Sequence, residues 1–166
     1  MYQREEFLTT IDEILEVSSV DQDLVALLIV KLRQFKKINA TYGIETGDEM
    51  LRRMEQRLNH VLRPVDQISR IGDSEYCIVL PSLKNSSHAI LAANRIIDEF
   101  QQPFIFGTNF IEPRLVIGIS VYDSPEMTHR ELIQNATKAL MEAEKNHEDY
   151  RLYLSPAENN LPPSLI

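Results

Sequence analysis

Arg63 and Asp66 stand three residues apart and Arg95 follows on a later stretch, so this part of the chain offers two guanidinium forks and a carboxylate. Forks of this kind suit phosphate oxygens and the edges of guanine, because paired N–H donors match both. The bland alternative is a surface Arg–Asp pair worth about 1 kcal/mol or less. A second polar stretch, Gly72-Asp73-Ser74-Glu75-Tyr76, gathers carboxylates and a hydroxyl beside a glycine expected to take a positive φ. Cys77 lies in the apolar run Tyr76 to Leu80, so it reads as a buried small hydrophobe rather than a nucleophile. His60, His88, His129 and His147 are scattered without metal-ligand spacing, and neither a metal site nor a cofactor is expected.

The elements that must position these groups follow from periodicity. Arg4 to Val17 is an amphipathic helix by its Phe7, Ile11, Ile14 and Leu15. Leu24 to Leu32 is continuously apolar apart from Lys31, the pattern of a strand covered on both faces, and a short helical turn follows at Phe35 to Ile38. Thr46 to Leu62 is a helix that must end before Pro64. Gln67 to Ile71 and Glu75 to Leu80 form a hairpin that Pro81 closes. Ser87 to Phe100 is helical, Pro103 to Phe106 and Arg114 to Tyr122 are strands joined through Gly107-Thr108-Asn109, and Thr128 to Lys145 is the last helix. Arg151 to Leu154 is a final strand. This order contains the split β-α-β-β-α-β arrangement, so an α+β fold of ferredoxin-like type is expected, with helices covering a mostly antiparallel sheet.

Bulk properties narrow the function. The 166 residues, 43% of them hydrophobic, suit one domain. A formal charge of -8, from 25 acidic and 17 basic residues, makes nucleic acid a poor partner. The apolar run Leu24 to Val30 is far below the ~20 residues of a membrane helix, and with one cysteine no intrachain disulfide forms. A cytoplasmic location is expected.

Several segments in order resemble the GGDEF family of diguanylate cyclases, from about Arg4 to Tyr153. Phe35-Lys36-Lys37-Ile38-Asn39, Tyr42-Gly43, Gly47-Asp48 and Leu51 are similar to its "FKxIND..GH..GD..L" stretch. Arg70 to Tyr76 stands where the family has "RxGGDEF", Ile117-Gly118-Ile119-Ser120 where it has "SIGIA", and Asn135 to Leu140 where it has "nADxALY". The resemblance implies the nucleotidyl cyclase palm with an added hairpin. It also implies condensation of two GTP into cyclic di-GMP, with divalent ions on the triphosphate and each active site formed between two domains.

The residues that resemblance would make catalytic are altered. At the family's "DxDxFK" acids stand Lys31 and Arg33, and the motif's second glycine and third-letter acid are Asp73 and Ser74. The phosphate-holding Lys and Arg of the last helix align with Glu144 and Glu148, with His147 for the intervening glycine. Lys31 is expected to repel a divalent cation and to pair with Asp73 or Glu75 across the hairpin. Asn39 and Asp48 match the guanine-reading positions, or else serve a helix end and a helix first turn. Arg63 and Asp66 match the family's inhibitory "RxxD" site, with Arg95 as its second arginine.

The expectation is a catalytically inactive GGDEF-like domain over residues 1–154, with residues 155–166 a tail or the start of a linker. It would work by protein contact, with GTP or cyclic di-GMP as candidate ligands and an EAL domain as a candidate neighbour in a longer protein. A homodimer is among the assemblies the resemblance allows. The alternatives are a cyclic di-GMP receptor through Arg63, Asp66 and Arg95, and a cyclase using Asp73 and Glu75 as unconventional metal ligands.

Overall fold

The computed structural model describes residues 4–155. In chain order its elements are α1 (Arg4–Asp21), β1 (Leu24–Leu32), α2 (Phe35–Tyr42), α3 (Ile44–Val61), β2 (Gln67–Arg70) and β3 (Glu75–Leu83). They continue with α4 (Ser87–Glu99), β4 (Phe104–Phe106), β5 (Asn109–Ile111), β6 (Leu115–Tyr122), α5 (His129–Lys145) and β7 (Tyr150–Leu152). A five-stranded sheet has the order β2-β3-β1-β6-β7, and only the β6–β7 pairing is parallel.

β1 is apolar without a break because both its faces are covered, and the alternation of side chains divides it between two cores. Ala26, Leu28, Val30 and Leu32 join Met50, Met54 and Leu58 of α3 and Ala93 and Ile96 of α4. Val25, Leu27 and Ile29 face the other way, against Ile11 and Leu15 of α1 and Leu132, Ala136 and Leu140 of α5. Each fully buried aliphatic side chain contributes about 1.5–3 kcal/mol. Lys31 continues the odd-numbered series, which directs it to the α5 side at the strand's open end.

The glycine of the "SIGIA"-like strand serves this packing. A Cβ on Gly118 would strike the backbone of α5 at Ala136 and Leu140, so the helix lies on β6 only because that side chain is absent.

Several expectations are corrected. α1 runs to Asp21 rather than Val17, and Phe35 opens a full helix rather than a turn. β3 passes through Pro81 to Leu83, because an extra residue bulges opposite Leu24–Ala26 and Pro81 escapes the ladder there. Gly107-Thr108 does not lead from β4 to β6: it turns β4 onto β5, a separate two-stranded sheet, and β6 enters the main sheet later. Gly72 does not have a positive φ, which among glycines is found at Gly43 and Gly107. The expected tail, residues 155–166, lies outside the described residues from 156 onward.

Candidate functional site

The end of β1, the β2–β3 turn, and the α2–α3 junction surround a cavity of about 660 Å³. Lys31, Asn39, Asp48, Arg70 and the Gly72–Glu75 turn all line it, so the residues singled out in three separate stretches do meet.

Lys31 lies opposite Glu75 in the sheet register, yet its ammonium pairs with neither Asp73 nor Glu75. It donates to both carboxylate oxygens of Glu144 on α5, at 3.2 and 3.3 Å. This overturns the expected partner, and the physical reason is the packing of α5 over that face of β1. Arg33, two residues on, donates through Nη2 to the backbone carbonyl of Glu148 at 2.6 Å. The Glu148 side chain is in turn held by Arg151 at 2.8 Å. Bases at the end of β1 thus meet Glu144 and Glu148 at the end of α5.

His147 carries a φ of 56°. That left-handed conformation is one that glycine adopts most readily, and the resemblance implies a glycine at this position.

The turn itself is braced from within. Arg70 donates to the carbonyls of Gly72 at 2.9 Å and Asp73 at 2.7 Å, and Ile71 N–H bonds Glu75 O at 2.9 Å. Ser74 lends its carbonyl to Leu32 N–H at 2.9 Å and lines the cavity without supplying a carboxylate. Tyr76, next in the motif, is buried and donates to Leu51 O at 3.1 Å.

Asn39 lies within α2 rather than at its end, and its Oδ1 is buried without a partner. Its side chain lies against Gly47, where any Cβ would collide with it. Asp48 is exposed in the first turns of α3.

The second constellation is separate. Arg63 grips Asp66 through Nε and Nη2, at 3.1 and 2.7 Å, while its Nη2 also reaches Pro81 O at 2.8 Å. Arg63, Asp66 and exposed Arg95 line one cavity of about 260 Å³ with an apolar wall of Leu80, Leu83 and Leu91. Burial pushes the Cys77 thiol up to about 12, away from any nucleophilic role. No group of three His, Cys, Asp or Glu side chains able to hold a metal occurs among the described residues. No described helix is long and apolar enough to cross a membrane.

The chain belongs to the GGDEF family: residues 1–150 match the diguanylate cyclase GGDEF domain. It is similar to diguanylate cyclase A of Treponema denticola, 29% identical over 87% of this chain and 38% of that protein. It is also similar to the cyclic di-GMP phosphodiesterase NbdA of Pseudomonas aeruginosa, 28% identical over 70% of this chain and 15% of that protein. The chain thus spans well under half the length of these relatives. Among solved structures, the GGDEF domain of TpbB from Pseudomonas aeruginosa superposes with a TM-score of 0.84 at 26% identity, covering 91% of this chain and 89% of that one. An EAL/GGDEF domain protein from M. capsulatus is 30% identical, with a TM-score of 0.76 over 92% of this chain and 99% of that one. The α+β palm and its mostly antiparallel sheet agree with these structures.

Proposed function

We propose that this chain is a catalytically inactive GGDEF domain that acts in cyclic di-GMP signalling by contact with another protein or domain. The observation that carries this reading is the Lys31–Glu144 pair at 3.2 Å. Phosphoryl transfer between nucleotides depends on positioning and on a divalent ion that neutralises the phosphates. The residues here do not fit such an ion. Lys31 offers a proton donor where an oxygen ligand is needed, Ser74 offers a hydroxyl, and Glu144 is engaged by Lys31. Because the pair is neutral as a unit, the obstacle is the missing donor set rather than bare repulsion. Asp73 sets a carboxylate on the cavity wall where a triphosphate would need positive charge. Incubating the purified protein with GTP and Mg²⁺ or Mn²⁺ tests this: no cyclic di-GMP above a no-protein control is expected, and product formation overturns it. The same assay decides the alternative of a cyclase using Asp73 and Glu75.

A second reading is a cyclic di-GMP receptor, favoured by the shared cavity of Arg63, Asp66 and Arg95. Asp66 holds the Arg63 fork in place before any ligand arrives, which lowers the ordering cost of binding. Calorimetry with cyclic di-GMP on the parent and on Arg63→Ala separates it from pure contact, since a silent parent titration removes it. The relatives named as phosphodiesterase and as an EAL/GGDEF protein support a setting in which residues 1–154 form a module joined through 155–166 to an EAL domain. A cytoplasmic setting fits this role.

A further inference from the structure

Beside α2, exposed aromatic rings border another opening. Tyr42 of α2, 37% exposed, and Phe110 of β5, 66% exposed, line one groove of about 240 Å³. Phe110 also has Ile105, 52% exposed, as its cross-strand partner in the β4–β5 hairpin. The exposed aliphatic–aromatic pair gives a partner a small apolar surface to bury.

The exposure is built into the fold. Phe104 and Ile111 on the other face of the hairpin are buried, and two arginines of α3 stack on the rings of that face. Arg57 lies 3.9 Å over the Phe104 ring and donates to Gln102 O at 2.7 Å, while Arg53 lies 4.5 Å over Phe106 and donates to Ile105 O at 2.7 Å. The hairpin therefore presents Phe110 from a fixed frame, which lowers the ordering cost of any contact.

The rim carries charge of one dominant sign. Arg33, Lys37 and Arg114 line the groove against the single acid Glu112, in a chain whose net charge is -8. Arg114 meets Glu112 only at 3.7 Å, and Lys37 is exposed without an ion-pair partner among the described residues. A local positive rim on an acidic molecule attracts an acidic segment. The -8 background disfavours a long polyanion such as nucleic acid.

We infer that the groove between α2 and the β4–β5 hairpin docks an acidic peptide segment of a partner protein, whose apolar anchor side chain sits between Tyr42 and Phe110. This inference rests on the reading of the chain as a contact module and names the surface that such contact uses.

Panning a phage-displayed random-peptide library on the whole chain tests it, with Phe110→Ser and Lys37→Glu as comparison proteins. Both substitutions are at exposed positions, and circular dichroism checks that both variants fold. Enriched peptides are expected to place carboxylates beside an aromatic or leucine residue and to bind each variant on the order of tenfold more weakly. Enriched peptides that lack carboxylates, or that bind the variants and parent alike, overturn the proposal, as does the absence of enrichment. So does self-association of the parent that both substitutions abolish, because a second copy would then own this face. Cyclic di-GMP synthesis in the GTP assay would sink the inactive reading without touching the panning result, so the two failures are distinguishable.

Discussion

Lys31 and Glu144 are 33% and 37% exposed as side chains, so solvent screens their attraction and the pair adds at most about 1 kcal/mol to stability. Its consequence in the proposed reading is chemical: the open end of β1 presents an ammonium rather than an oxygen donor. Wild-type protein is expected to show no saturable Mn²⁺ binding by electron paramagnetic resonance. The combination Lys31→Asp, Ser74→Glu and Glu144→Lys returns acids and base to the positions of the resembled motif, and is expected to gain such binding. Saturable Mn²⁺ on the parent would refute the account. The sign reversal at Lys31 was legible in the sequence, but its partner was not. Sheet pairing favours Glu75, and only the docking of α5 on the odd-numbered face brings Glu144 above the strand end. Cys77 makes a second residue-scale prediction. With its thiol pushed up to about 12 by burial, it stays protonated and shielded in the folded state. Ellman's reagent at mildly alkaline pH is expected to leave it unmodified until urea unfolds the chain. As pH rises from about 9 toward 12 the unfolded thiol loses its proton first, so this group then lowers stability.

At the scale of elements, the β4–β5 hairpin depends on α3 more than on itself, since an isolated two-stranded ribbon is marginal in water. Arg57 bridges the Phe104 and Phe100 rings, at 3.9 and 5.2 Å, and burial chiefly lowers its pKa, against the opposing field of Glu99. Arg57→Lys keeps a charge but loses the planar fork that stacks and reaches the Gln102 carbonyl at once. A loss of about 1–2 kcal/mol is expected, with faster amide exchange confined to Phe104 through Ile111 and β1 unaffected. Equal acceleration in β1 would mean that the hairpin is not an independent unit. This element was the least legible in the sequence. β5 has only three residues with two of them exposed, so no alternation announces it, whereas β1, α3 and α5 carry full-length periodicity. Pro81 misled for a related reason: a bulge lets a strand continue past proline, and nothing local signals the extra residue.

For the whole molecule, the question is whether α1 belongs to the domain or merely leads into it. Its Ile11 is fully buried among Val25, Leu27 and residues of α5, just as Met54 of α3 is fully buried on the opposite face of the same sheet. If one sheet couples both cores, Ile11→Ala and Met54→Ala should each cost about 2–5 kcal/mol. The two residues belong to separate cores on opposite faces of the sheet, so the double variant should lose nearly the sum. The chain has no tryptophan, and buried tyrosines serve as reporters: Tyr122 belongs to the core with α1 and Tyr76 to the core with α3. Urea transitions followed by tyrosine fluorescence and by far-ultraviolet circular dichroism are expected to coincide in the parent and in both variants. A first phase seen only with Ile11→Ala would show that α1 peels away while the sheet stands. In that case α1 would be an attachment to the fold rather than part of its cooperative unit.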